Sequence, residues 1–198
     1  MAAMPKITVE RGENLKKGRI THEILRVLND HPMQIPSYKG ASLSAVFLPH
    51  LEVRGIGRRR RNNIRIAVDR LRRLRCIDHH VGDDKSVLRI TPLGEKRLRQ
   101  YDIENLELIG SQRWDGIWRI VMFDIPEGKK RARDAMSKKL KLMGFYQLQK
   151  SVSCHFADCR DEVQFIEEYF EVQGLVTFVE ARSLGRSEMA VRRFFKLK

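Results

Sequence analysis

The chain has 198 residues, of which 42% are hydrophobic and 32% are charged, a composition typical of globular proteins. Its formal net charge of +14 favours a polyanionic partner, nucleic acid before an anionic membrane surface. No apolar run approaches the roughly 18 residues of a membrane span, and the first residues lack a signal-peptide-like segment, so we expect a cytoplasmic protein. Cys76, Cys154 and Cys159 are too few and too scattered for a disulfide framework or a four-ligand zinc site, even with His155 beside them.

The first part of the chain predicts two helices that follow a flexible arm. Residues 1–17 mix charge, Gly and Pro without periodicity and are interpreted as this arm. An apolar stripe predicts a helix that begins near Thr21 and ends before a His-Pro pair. Residues 33–40 contain Pro and Gly and are predicted to form a loop. A second helix is predicted over residues 42–51, bent or stopped near Pro49.

Residues 54–75 concentrate the positive charge of the chain. They contain ten arginines and one acidic residue, Asp69, and so carry a net +9 of the total +14. At 100° per residue, five apolar residues share the face predicted to be buried: Ile64, Ala67, Val68, Leu71 and Leu74. The opposite face carries mainly polar residues: Arg58, Arg59, Asn62, Arg65, Ile66, Asp69 and Arg73.

This pattern is interpreted as the recognition helix of a protein that binds double-stranded DNA. Arginine can bond guanine, asparagine can bond adenine, and an aliphatic side chain can contact the methyl group of thymine. The predicted base-contacting residues are Arg58, Arg59, Asn62, Arg65 and Arg73, with Arg61 or Arg70 placed on phosphate. A solvated basic face is the alternative interpretation, but the density and one-sidedness of the charge favour recognition.

After the basic helix the hydrophobic period changes from 3.6 to 2. Residues 76–81 and 86–91 are predicted to form a β-hairpin around a turn at residues 82–85. Thr91 can then cap a further helix that has Pro92 at its first position. Three helices, a hairpin and a closing helix resemble a winged helix-turn-helix, predicted over residues 18–105.

The hairpin contains two further candidate functional features. Lys85 lies at the predicted tip of the wing and is expected to contact the minor groove or the DNA backbone. His79 and His80 are adjacent in a strand and therefore point to opposite faces, which argues against joint binding of a metal ion.

The second half predicts a separate α+β domain. Residues 106–113 are interpreted as a linker and residues 114–198 as a domain, in which Trp114 and Trp118 pack rather than stack on bases. The elements alternate as βαββαβ, which predicts a ferredoxin-like fold. They are a strand over 119–125, a helix over 129–143 capped by Gly144, one or two strands within 146–156, a helix over 161–172 and a strand over 175–181. Residues 190–198 are expected to form an edge strand or a basic tail.

Three stretches of this second half resemble two known families. They are residues 118–127 (WRIVMFDIPE), 140–145 (LKLMGF) and 149–152 (QKSV). One family is the small ferredoxin-like subunit of the CRISPR spacer-integration complex. The other is the PaaX-like family, the phenylacetic-acid degradation repressors, in which such a domain follows a winged helix. The leading Trp and the preceding winged helix favour the second family, over residues 19–184.

The resemblance implies a sequence-specific transcriptional regulator, a repressor without enzymatic activity. Two protomers would pair through the ferredoxin-like domain to form a homodimer, and an acyl-CoA effector is implied for the family, although no residue here identifies an effector. The alternatives are a nucleic-acid-binding scaffold and a metal-dependent nuclease in which Asp124 would hold Mg²⁺. Against the nuclease, Asp124 is expected to cap the following turn by accepting hydrogen bonds from the backbone of residues 126–129. We therefore expect no cofactor.

Overall fold

The computed structural model describes residues 18–36, 43–57, 60–81, 85–108 and 113–197. The chain divides into two compact units, of which the first ends at Glu104 and the second continues from Asn105. The predicted arm, residues 1–17, lies outside the described residues. Among the helices that are described, none has the length and apolar character needed to cross a membrane.

The described residues of the first unit form four α-helices and a three-stranded antiparallel sheet. In chain order its elements are α1 (Arg19–Asp30), β1 (Met33–Pro36), α2 (Leu43–Val53), α3 (Arg61–Arg73), β2 (Ile77–Val81), β3 (Lys85–Ile90) and α4 (Pro92–Asn105). The sheet has the order β1-β3-β2, so the predicted hairpin supplies its centre and one edge. His79 lies opposite Leu88 in this hairpin. The turn predicted over residues 82–85 is wrong for Lys85, which begins β3 and lies opposite Pro36, and residues 82–84 lie outside the described residues.

Strand β1 replaces the first half of a predicted loop. The loop prediction for residues 33–40 is wrong for residues 33–36, and residues 37–40 are not described. Met33 and Ile35, which lie on the same face of the strand, are both buried in the core. Strand β1 pairs with β3 so that Met33 lies opposite Leu88. Period-2 burial against a distant strand therefore outweighs the turn-forming tendency of the nearby prolines.

Helix α3 is held by the apolar stripe that the sequence predicts. Ile64, Val68 and Leu71 are buried in the core of the first unit, and Ala67 is also buried. Each large side chain contributes roughly 1.5–3 kcal/mol by leaving water. Leu74 is the exception, because it is 40% exposed rather than buried. The helix ends at Arg73, so Leu74 no longer follows the helical periodicity.

The predicted cap of α4 is confirmed and also fixes the chain just after α3. The Thr91 hydroxyl accepts a hydrogen bond from the Gly94 N–H at 3.1 Å and donates one to the Arg75 carbonyl at 2.7 Å. Pro92 occupies the first helical position, as predicted. A Cβ atom at Gly94 would collide with the carbonyl oxygen of Cys76, so the close approach of the two segments requires glycine.

We predict that Gly94→Ala destabilises the first unit by about 3 kcal/mol, because the colliding group is backbone and cannot rotate away. Urea denaturation followed by far-ultraviolet circular dichroism measures the change. Gly57→Ala is the matched control, since a Cβ atom there meets nothing within 4 Å. Equal stability of the two variants would contradict the packing described for Gly94.

The second unit has the predicted ferredoxin-like order and belongs to the α+β class. Its elements are β4 (Trp118–Phe123), α5 (Lys130–Leu142), β5 (Tyr146–Gln149), β6 (Val152–His155), α6 (Arg160–Tyr169), β7 (Val176–Ala181) and α7 (Glu188–Phe195). All strand pairs are antiparallel in the order β5-β6-β4-β7, so β4 lies inside the sheet. Gly144 adopts a φ of 89°, the left-handed conformation predicted for the cap of α5.

The predicted edge strand or tail over residues 190–198 is wrong, because α7 forms instead. Val191 is buried and Phe195 is partly buried in a cluster with Trp118 and Cys154. The carboxylate of Glu188 accepts a hydrogen bond from the Leu184 N–H at 3.1 Å, which stabilises the start of this helix. Apolar residues four apart thus form a helical stripe that covers one face of the sheet.

Trp114 and Trp118 pack within this second unit, as the sequence predicts. Trp118 is fully buried, and the two ring centroids lie 4.7 Å apart. The indole N–H of Trp114 donates to the Ile117 carbonyl at 3.1 Å. Both rings therefore report on the core of the second unit, which makes their fluorescence a probe of its unfolding.

His155 is a buried, neutral side chain in this core. Its ring stacks on Phe156 and meets Phe195 edge-on, with centroids 4.7 Å and 4.9 Å away. Its Nδ1 accepts a hydrogen bond from the Ala157 N–H at 2.9 Å. Burial lowers the pKa of His155 to about 4, because the charged imidazolium would lose its hydration.

We predict that the second unit loses about 2 kcal/mol of stability as the pH falls from 7.5 to 5. Below pH 6.5 the unfolded chain binds a proton at His155 that the native state does not bind until pH 4, so acid favours unfolding. Urea denaturation followed by tryptophan fluorescence measures this loss. His155→Asn keeps a side-chain acceptor but cannot titrate, so its stability should be nearly constant over this range. The same pH dependence in both proteins would exclude His155 as its source.

Candidate nucleic-acid interface

The structure places most of the predicted DNA-contacting residues on the exposed surface of α3. Five of them are exposed there: Arg61, Asn62, Arg65, Arg70 and Arg73. Two others, Arg58 and Arg59, lie outside the described residues. Lys85 begins β3 as part of the hairpin, and its side chain is not among those described.

The outward face of α3 combines hydrogen-bonding and apolar groups. Ile66 is 52% exposed although it belongs to a helix with a well-buried opposite face. The Arg65 guanidinium donates to the Asn62 side-chain oxygen at 3.1 Å, which brings these two polar groups together beside Ile66. This outward face is the candidate DNA-facing surface, called the DNA-facing surface below, and is formed by Asn62, Arg65, Ile66, Asp69 and Arg73.

Six arginines of α3 and of the residues just after it are not paired with a carboxylate of the described residues. Among the residues that the structure describes, six have no carboxylate within ion-pair distance: Arg61, Arg65, Arg70, Arg72, Arg73 and Arg75. Arg54, just before the helix, behaves differently and pairs with Glu23 at 3.1 Å and Asp30 at 2.9 Å. The positive field of α3 therefore remains available to an external anion.

A groove beside the C-terminal end of α3 adds two arginines that were not predicted to contact DNA, Arg72 and Arg75. The groove is lined by Asp69, Arg72, Arg73, Arg75, Ile77, Asp78, His79 and Thr91. Arg75 follows the helix with a φ of 54°, and Thr91 holds its carbonyl. The sequence signal for a role of these two arginines was their place in the arginine-rich stretch. Helical periodicity could not place Arg75, because α3 ends at Arg73.

The histidines of the hairpin do not converge on a metal ion. His80 is exposed and its Nε2 lies 2.8 Å from the Asp78 carboxylate, whereas His79 is partly buried. Across the described part of the chain, no three His, Cys, Asp or Glu side chains are grouped so that they could hold a metal. Burial raises the pKa of both the Cys154 and Cys159 thiols to about 12, which disfavours the thiolate that a metal requires.

Asp124 does not make the predicted cap. It is exposed just after β4, and its backbone N–H donates to the Leu175 carbonyl at 3.0 Å. Within the described residues its carboxylate has no hydrogen-bond or ion-pair partner, so the prediction that it accepts from residues 126–129 is wrong. The chain turns after β4 as predicted, but the exposed carboxylate of Asp124 takes no part in that turn.

Asp115 and Glu127, the two acidic residues that the sequence offers as partners for Asp124, bind arginines instead. Asp115 makes two hydrogen bonds of 2.7 Å to the guanidinium of Arg119, and these lower the pKa of Asp115. Glu127 lies 3.1 Å from Arg133. The described residues around Asp124 therefore offer an isolated carboxylate rather than a paired site.

One comparison with known proteins assigns the second unit. Residues 111–191 match the family model described as the PaaX protein central Cas2-like domain. The second unit therefore resembles the Cas2-like domain of PaaX proteins. The family resemblance in the motifs of residues 118–127 and 149–152 is thereby confirmed for this domain. No curated protein matches the chain.

We predict that wild-type protein with Mg²⁺ leaves duplex and single-stranded DNA intact, because no group of carboxylates among the described residues of the chain joins Asp124 to hold the cation. Asp124→Asn should change the free energy of unfolding by less than about 0.5 kcal/mol, since the side chain is exposed and unpaired. Gel assays and urea denaturation measure the two effects. Mg²⁺-dependent cleavage that disappears in Asp124→Asn would instead assign the chain as a nuclease.

Proposed function

We propose that the chain is a sequence-specific, DNA-binding transcriptional regulator of the PaaX type. Its first unit is a winged helix-turn-helix that binds double-stranded DNA. The observation that carries this proposal is that Arg61, Arg65 and Arg70 are exposed on α3 without a carboxylate partner among the described residues, while the other face of the helix is buried. A PaaX-type domain in the second unit supports the same assignment, because PaaX is a family of transcriptional regulators.

The connection between α2 and α3 supports the helix-turn-helix assignment. Gly55 adopts a φ of 79° in this turn, and Ile56 inserts into the core directly after it. The Ile56 N–H donates to the Leu51 carbonyl at 2.9 Å, which closes the end of α2. Helix α2 thus braces α3 from behind, so that the DNA-facing surface can enter a major groove about 12 Å wide.

The outward side chains of α3 have the chemistry needed to distinguish base pairs. Arg65 can bond the O6 and N7 acceptors of guanine, and Asn62 can bond N6 and N7 of adenine. Ile66 can contact a thymine methyl group. Arg61 and Arg70 lie farther round the helix and would contact phosphate, as would Lys85 at the start of β3.

The second unit would pair two protomers. The outer edges of β5 and β7 have no neighbouring strand in the described sheet, and an antiparallel edge can pair with its own copy about a two-fold axis. A homodimer would place two recognition helices on an inverted repeat. We further infer that the protein is cytoplasmic and that it represses transcription without a catalytic cofactor. Any small-molecule effector would act by changing the affinity of the protein for DNA.

We predict that Arg65→Ala loses about 1–3 kcal/mol of discrimination at one base pair, because it removes a base contact. Arg70→Ala should weaken binding to all sequences alike and reduce the salt dependence of the affinity by about one ion, because it removes a phosphate contact. Selection from a random duplex library, followed by titrations at several salt concentrations, measures both effects.

Arg99→Ala is the charge-matched control, since Arg99 is exposed on α4 and lies outside both the groove and α3. It should alter neither base preference nor affinity by more than about twofold. If Arg65→Ala and Arg70→Ala both weakened all sequences equally, α3 would be only an electrostatic surface. If the wild type failed to bind duplex DNA at low salt, the proposed function would be wrong.

A further inference from the structure

Asp69 is an acidic residue in the most basic part of the molecule. It is the only Asp or Glu among residues 54–75, which contain ten arginines. It lies on the DNA-facing surface, is exposed, and borders the groove that also contains Arg72 and Arg75. A carboxylate at this position opposes the approach of DNA phosphates and lowers the affinity for duplex DNA in general.

The carboxylate is not used to neutralise its neighbours. Arg65 precedes Asp69 by four residues, and Arg72 and Arg73 follow it by three and four residues. These are the spacings at which ion pairs form within a helix. Within the described residues none of the three pairs with it, and Arg65 is directed to Asn62 instead. On α7 the same i, i+4 spacing does give an ion pair, between Glu188 and Arg192 at 3.0 Å. Among the described residues, none therefore occupies the acceptor oxygens of Asp69.

Its position on the helix is set by the core. Val68, the preceding residue, and Leu71, two residues later, are both buried, so this turn of α3 cannot rotate without exposing them. Asp69 also has a short side chain with few rotamers, which leaves its oxygens close to the helix surface. A base edge that meets this turn of the helix would meet the carboxylate in a defined orientation.

We propose that Asp69 is a specificity-determining residue that accepts a hydrogen bond from the exocyclic amino group of cytosine or adenine in the major groove. Those amino groups are the hydrogen-bond donors that base pairs present there, whereas guanine and thymine present acceptors that repel a carboxylate. Asp69 thus selects by attraction at one base and by repulsion of the others and of misplaced phosphates. The inference rests on the proposed function, in which α3 enters the major groove.

The test compares full-length wild type with Asp69→Asn and Asp69→Ala. Sites are selected from a random duplex library, and affinities are then titrated on the selected site, on its single-base variants and on an unrelated duplex at one salt concentration. Wild type should prefer cytosine or adenine at one position of each half-site by about fivefold or more. Asp69→Ala should lose that preference and bind the unrelated duplex more tightly. Asp69→Asn should also bind the unrelated duplex more tightly and should lose the preference or move it toward adenine.

Asp134→Asn is the control for the change in net charge, because Asp134 is exposed on α5 in the other unit. It should leave both the base preference and the affinity for the unrelated duplex unchanged. If the Asp69 variants kept the wild-type preference at every position and only bound all duplexes more tightly, the inference would be overturned while the proposed function stood. If wild type showed no base preference at all, both would fail.

Discussion

Burial of one face of α3 is the interaction on which the proposed interface depends. Like charges at i, i+3 or i, i+4, such as Arg61 with Arg65 and Arg70 with Arg73, each cost about 0.2–0.5 kcal/mol in a helix. Burial of Ile64, Val68 and Leu71 contributes roughly 1.5–3 kcal/mol for each side chain, which exceeds that repulsion several-fold. The core thus permits a density of positive charge that the helix alone would not sustain.

Local periodicity in the sequence predicted most of the helices, and it predicted the order of strands and helices in the second unit. The stripe on α3 and the βαββαβ order depend on burial patterns within single elements. The errors arose where a distant partner decides the local structure. Strand β1 exists because β3, about fifty residues later, pairs with it, and α7 exists because the sheet face that carries Trp118 accepts Val191 and Phe195.

The candidate site was predictable in identity but not in its electrostatic state. A helical projection placed Asn62, Arg65 and Arg73 outward, and the structure agrees. The projection could not show that the charge of Arg54 is neutralised by Glu23 while that of Arg65 is not, because Glu23 belongs to a different helix, α1. The prediction that Asp124 caps the following turn was also wrong. A turn pattern in the sequence predicts the backbone conformation but does not fix the position of a neighbouring exposed side chain.

The two units use the same residue type for different purposes. In the second unit, Arg119, Arg133, Arg160 and Arg192 each meet a carboxylate, and Arg119 is itself buried. The charge of these four arginines is therefore largely cancelled within the second unit. Around α3 in the first unit, six described arginines are exposed and have no carboxylate of the described residues within ion-pair distance: Arg61, Arg65, Arg70, Arg72, Arg73 and Arg75. Three of them stand at helical ion-pair spacing from Asp69. A high net charge alone would predict only non-specific attraction to nucleic acid. The unpaired arginines together with a free carboxylate on one rigid surface are what favour recognition of particular bases.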